Sequence, residues 1–194
     1  MRPLFNQLSS LSKIPYKIVE TLAKSNNENL WKALYYSDYD CLSRKDLTFR
    51  KKMNLIWKNE DDQLEYRIFL KPLVSDELTN SITQLRINKV NIIPTNRYFS
   101  IVLYEFMILT GEKIALIEDE DGITVPRIDY IEQELVKELN GKDIGAGSGF
   151  LEFNQDLSRL IQEKLSVNNG KTAFGTSLIM GLRIGELGEN GCGG

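Results

Sequence analysis

Apolar positions recur at helical spacing in the first third of the chain. Ile14, Ile18, Val19 and Leu22 share one face, and Pro15 suits a first helical turn. Ser25 with Glu28 reads as a capping box that opens a second helix through Leu30, Trp31, Leu34 and Tyr35. After the turn "SDYD", Ser43 with Asp46 is a weaker capping pattern. It precedes a third helix with Leu47, Phe49, Met53, Ile56 and Trp57 on one side, and Arg50, Lys51 and Lys52 pointing elsewhere.

The period then falls to two. Tyr66, Ile68 and Leu70 alternate with Glu65, Arg67 and Phe69, and residues 83–93 are β-branched and alternating up to Pro94. Residues 100–109 are apolar on both faces, which predicts a central strand. "TGEK" signals a hairpin into a short strand at 113–118, followed by the acidic turn "EDEDG". Ile128, Ile131, Leu135 and Leu139 form a helical stripe that stops at Asn140-Gly141. Strands follow at 149–153 and 175–184, with a short helix predicted at 153–165. The predicted class is α+β: N-terminal helices, then an antiparallel sheet packed with one long helix. One domain spans 14–184. Residues 1–13 are expected to form a flexible arm and 185–194 a flexible glycine-rich tail.

Composition narrows the chemistry. The 194 residues carry a net charge of −3 with no histidine. An isoelectric point near 5.2 argues against a bulk basic surface for DNA. The missing histidines remove Ser-His and Cys-His catalysis and His-based metal sites. Two cysteines, Cys41 and Cys192, suggest a reducing compartment and cannot build a structural zinc site. A disulfide between them is not expected, because Cys192 lies in the glycine-rich tail. The N-terminus lacks a signal-peptide pattern. The longest apolar run, Phe99–Leu109, is broken by Glu105 and falls short of the ~18 residues of a membrane span, so no membrane partner is expected.

Four motifs invite a chemical reading. "NGKDIGAGSGFLEF" places four glycines after a helix, but no Lys-Ser/Thr pair follows them. The order helix, glycines, strand is also the reverse of a dinucleotide fingerprint, so the glycines read as a turn. In "EDEDG", Asp119 and Asp121 fit a calcium loop, whereas Ile117 and Ile128 stand where ligands are needed. A solvated hairpin tip is the better reading. "RKDLTFRKK" offers Arg44, Lys45, Arg50, Lys51 and Lys52 as a candidate basic face, for nucleic acid or an acidic neighbour; a solvated helix face is the plainer alternative. Tyr35 and Tyr36 are adjacent and cannot both face one core, which makes Tyr36 a candidate interface residue. The terminal "GCGG" resembles the end of ubiquitin-like modifiers, with nothing upstream to support that fold.

Taken in order, "ETLAKSNNENLWKALYY", "DCLSRKDLT", "NIIPTNRYFSIVLYEFMIL" and "PRIDYIEQELVKELNGKDIGAGSGFLEF" resemble virion proteins of the head–tail connector and neck of tailed bacteriophages. The resemblance spans most of residues 20–153. The glycine-rich loop 145–149 and the "NENGCGG" end depart from it. It implies a non-enzymatic structural protein that forms a homo-oligomeric ring at the portal–tail junction, as a connector, stopper or tail-terminator-like subunit. Its partners would be portal and other neck or tail proteins, with genomic DNA passing through the lumen and no cofactor or metal. The location would be the virion, after synthesis in the host cytoplasm. Contacts are expected from the arms, which carry Phe5 and Leu187, and from the loop Pro94, Thr95 and Asn96. Two alternatives are a metal-dependent carboxylate enzyme such as a nuclease, using Glu118, Asp119 or Asp121 with Asp129, and a cytosolic nucleic-acid-binding adaptor using Arg44 to Lys52.

Overall fold

A computed structural model describes residues 11–58, 66–71, 82–95, 99–144, 149–153, 163–167 and 171–185. The arm residues 1–10 and the tail from 186 onward, with Phe5 and Leu187, lie outside these. The stretch 1–13 predicted as an arm is already structured at its end: Leu11–Lys13 forms a 3-10 turn and Leu11 is buried. Three helices follow: α1 (Ile14–Lys24), α2 (Glu28–Tyr35) and α3 (Phe49–Asn54). Their buried residues include Ile14, Ile18, Val19 and Leu22 of α1, and Leu30, Trp31 and Leu34 of α2, as the periodicity predicts.

The helix caps differ from those predicted. Asn27, not Ser25, caps α2, accepting from the Leu30 amide at 3.1 Å. Ser25 Oγ instead donates back to the Leu22 carbonyl at 2.9 Å. Thr48, not Ser43, caps α3, accepting from the Lys51 amide at 3.3 Å. In both cases the residue directly before the first turn wins, because only its side chain reaches the N2 or N3 amide.

The main sheet has the order β1-β2-β3-β9-β7-β6, with β8 also on β9. These strands are β1 (Ile68–Phe69), β2 (Thr83–Pro94), β3 (Phe99–Gly111), β6 (Lys142–Asp143), β7 (Phe150–Phe153), β8 (Glu163–Val167) and β9 (Lys171–Gly185). β3 is central, as its two apolar faces predict: it pairs with β2 on one side and with β9 on the other, from Phe99 to Gly111. The sheet is antiparallel except for β1, which runs parallel to β2.

Leu85, Ile87, Val102, Tyr104, Phe106, Ile108, Leu178, Met180 and Leu182 share a core cluster with the helices. Each fully buried aliphatic side chain there contributes roughly 1.5–3 kcal/mol. On the opposite sheet face Gln84 and Arg86 of β2 stand across from Leu109 and Met107 of β3, so polar and apolar side chains are mixed there.

Two local expectations fail for reasons of pairing. "TGEK" does not open a hairpin with β3, since β2 and β9 already occupy both its edges. The chain turns away through a 3-10 turn, Glu112–Ile114, and β4 (Leu116–Glu118) pairs with β5 (Thr124–Pro126) in a separate two-stranded sheet. The helix predicted at 153–165 gives way at its C-terminal end to β8, which forms a hairpin with β9. Strand pairing overrides the weak local preference there.

The long helix α4 (Arg127–Leu139) buries Ile131, Leu135 and Leu139 and ends at Asn140. Gly141 takes φ 75°, which favours glycine, and its amide donates to the Leu151 carbonyl at 2.7 Å. The glycine-rich stretch therefore joins β6 to β7 as a hairpin, with residues 145–148 outside the described set. Gly149, at φ 104°, also lies so close to the Arg183 carbonyl that a Cβ would come within 3.1 Å.

Candidate functional site

Arg127, the first residue of α4, is completely buried. Its Nε donates to the Ile114 carbonyl at 2.7 Å, Nη1 to Ala33 at 2.8 Å and Tyr36 at 2.6 Å, and Nη2 to Asp38 at 2.9 Å. The carbonyls of Ala33 and Tyr36 lie at the C-terminal end of α2, where unpaired carbonyl oxygens carry partial negative charge. The planar fork of guanidinium donors suits this gathering of acceptors. Burial pulls the Arg127 pKa below its ordinary value, opposed by Cys41 and Asp38. Burial also pushes the Cys41 thiol up, opposed by the neighbouring guanidinium. The Glu118 amide donates to the Tyr39 carbonyl at 2.9 Å, and the Tyr39 and Thr124 hydroxyls share a hydrogen bond. The helices, the β4–β5 hairpin and α4 are thereby locked together. The resemblance contained an arginine at this point, but nothing in local sequence shows that it holds carbonyls from residues 33 to 38.

The predicted site residues are scattered. Tyr36 is half-buried; its hydroxyl donates to the Lys45 carbonyl at 2.9 Å and its ring meets Tyr35 edge-on at 4.9 Å. Pro94 ends β2 and Thr95 follows it, both exposed, and Asn96 lies outside the described residues. In the basic stretch, Arg44 pairs with Asp38 and Asp40, both at 3.2 Å. Lys45 and Arg50 are exposed, and the Lys51 ammonium sits 4.8 Å from the Tyr35 ring centre. Lys52 does not belong to a solvated face. It is buried, pairs with Glu28 at 2.6 Å and lies over the Trp31 ring. Three and four residues on, Leu55 and Ile56 are buried too, so Lys52 falls on the inward side of this short helix.

The acidic turn is internally engaged. Asp119 accepts from the Asp121 and Ile123 amides at 3.0 and 2.7 Å, and Gly122 takes φ 77°. This is a tight hairpin tip. Among the described residues, no three of His, Cys, Asp and Glu stand where they could hold one metal ion. A polar groove of about 290 Å³ lies between residues 26–29 and α4, lined by Asn27, Glu28, Glu134 and Glu138 among others. Asn27 Nδ2 donates to Glu134 across it, and Glu28 Oε2 is buried without a partner.

Features of the sheet margins discourage strand addition. β6 is two residues long, and β2 carries a bulge between Lys89 and Asn91 and ends in Pro94. Short edge strands, lysines, bulges and proline all hinder pairing with another chain. Contacts with neighbours through backbone pairing are correspondingly less favoured than contacts through side chains.

No helix among the described residues is long and apolar enough to cross a membrane. No curated protein gives a significant match to the chain. The family model that does match covers residues 27–172, about three quarters of the chain, from the α2 cap through the Arg127 clamp to the start of β9; it is that of YomW, a phage-type family, to which this chain belongs.

Proposed function

We propose that the protein is a non-enzymatic structural component of a phage virion, forming a ring at the portal–tail junction as part of the DNA conduit. The observation that carries this reading is the phage-type family match over most of the folded body. Two features support the finer placement. The Arg127 clamp ties the end of α2 to the start of α4 and to the turn before the β4–β5 hairpin, as a load-carrying subunit requires. The net charge of −3, with Arg44 and Lys52 of the basic stretch paired to acids, disfavours a firm hold on passing DNA.

The test is to co-express the full chain with the portal and tail-side proteins of its phage, image the complexes by electron microscopy, and identify the proteins of purified virions by mass spectrometry. Rings on the portal, and a virion copy number matching ring symmetry, are expected. Absence from virions would overturn the reading. So would metal-dependent DNA cleavage that is lost on Asp119→Asn or Asp129→Asn change.

A further inference from the structure

The β4–β5 hairpin has two unlike faces. In register, Ile117 stands across from Val125, and both point inward: Ile117 is fully buried and Val125 packs against the core. Leu116, across from Pro126, and Glu118, across from Thr124, therefore project outward. Tyr39 completes the outward face. Its carbonyl takes the Glu118 amide at the edge of β4, and its hydroxyl reaches the Thr124 hydroxyl on β5, so the ring crosses the outward side of the hairpin. Leu116 is 53% exposed, Tyr39 46%, and Ile123 at the tip 58%. Pro126 and Thr124 are exposed as well. Seven large hydrophobic side chains stand exposed among the described residues, and three of them gather here; Tyr16, Phe49, Val90 and Phe150 are divided among α1, α3, β2 and β7. The face is firmly mounted, because the Arg127 amide and Nε hold the Ala115 and Ile114 carbonyls just before β4.

Negative charge is concentrated around this face. The stretch 112–126 carries Glu112, Glu118, Asp119, Glu120 and Asp121 against one cation, Lys113. Among the described residues none of these five carboxylates forms an ion pair, whereas Asp38 and Asp40 pair with Arg44, Asp46 with Lys32 and Glu28 with Lys52. An apolar patch among unpaired carboxylates selects a partner of opposite charge. It repels the phosphates of nucleic acid and anionic lipid headgroups alike. The same face of a second copy would set acid against acid across a two-fold axis. We propose that the outward face of the β4–β5 hairpin is a docking surface for a Lys/Arg-rich segment of another virion protein, with an apolar side chain of that segment seated on Leu116, Pro126 and the Tyr39 ring. The proposal rests on the virion reading above. Lysine and arginine stems lie along apolar surface while their charged ends stay in water, so they can cover Leu116 and still reach Glu118 and Asp121. A guanidinium also stacks on a tyrosine face, which the exposed Tyr39 ring offers.

The test measures binding of the full chain to the purified portal and tail-side proteins of its phage by sedimentation velocity, for the wild type, Leu116→Ser, Asp121→Lys and, away from the face, Phe49→Ser. Leu116 and Asp121 are exposed, so their variants should keep the fold, and thermal melting checks that they do. One of the phage proteins should bind the wild type, more weakly as salt rises from about 0.05 to 0.5 M. Leu116→Ser and Asp121→Lys should each weaken that binding at least tenfold, and Phe49→Ser should leave it unchanged. Binding indifferent to both hairpin changes would overturn this surface and leave the virion reading standing. So would self-association of the chain that Leu116→Ser abolishes, since the occupant would then be a second copy. If none of the phage proteins binds although the chain is present in virions, this proposal fails alone; absence from virions removes the virion reading and this surface with it.

Discussion

Arg127 is the residue whose loss should be felt most. Changing it to Met leaves four carbonyls without these donors, two of the bonds being buried and two part-buried, and the expected cost is about 3–5 kcal/mol in urea unfolding. Arg127→Lys should lose most of the same amount, because a single ammonium cannot span acceptors set around a planar fork. Glu132 offers a test with pH. Burial raises its carboxyl pKa above the ordinary 4.5, with Asp129 adding to the effect and the hydrogen bond from Thr176 opposing it. The folded state thus keeps a proton that the unfolded state has lost. The favourable contribution of the protonated carboxyl is fully present below the ordinary value and is lost as pH rises through the folded one. Glu132→Gln, which can still accept from Thr176, is expected to raise the melting temperature at pH 7 relative to the wild type and to change little at pH 4. Neither role is legible in the sequence. The partners of Arg127 lie near residues 33–38 and at Ile114, and that of Glu132 lies on β9. Lys52 misleads for the same reason: a run of three basic residues reads as solvated until Glu28 is seen beneath it.

At the scale of elements, the helix caps give the cleanest discrimination. Asn27→Ala removes the acceptor for the Leu30 amide and the contact to Glu134, and should cost ~1 kcal/mol or somewhat more in chemical unfolding. Ser25→Ala should cost less, because that hydroxyl returns to the helix it follows. Equal losses would mean that Ser25 shares the capping role. The periodic elements could be read directly: α1, α2, α4, β2, β3 and β9 each carry their own stripe or alternation. The glycine stretch after α4 was also readable as a turn, since the order of helix, glycines and strand leaves no helix start facing the loop. The misreadings are elements whose state depends on a partner. β4 had a plausible neighbour in β3, but both edges of β3 were already taken. β8 had a helical pattern and became a strand because β9 lay beside it.

For the molecule as a whole, the distribution of charge matters more than its sum. With Arg44 paired to acids, Lys52 buried and a net charge of −3, the full chain should show no retention on duplex DNA at about 0.15 M salt. A steep loss of DNA binding with added salt, centred on Lys45 and Arg50, would instead favour an adaptor role. The α+β class and the central strand were available from hydrophobic pattern alone. The Arg127 clamp also sets an order of events during synthesis. Asp38, whose carbonyl it holds, is 89 positions earlier in the chain. At a translation rate of ~5–20 residues per second, the end of α2 emerges on the order of 5–20 s before the side chain that fastens it. For that interval its carbonyls have only water to bind, so nascent chains halted before residue 127 should be readily cleaved there by protease and those halted well beyond it should resist.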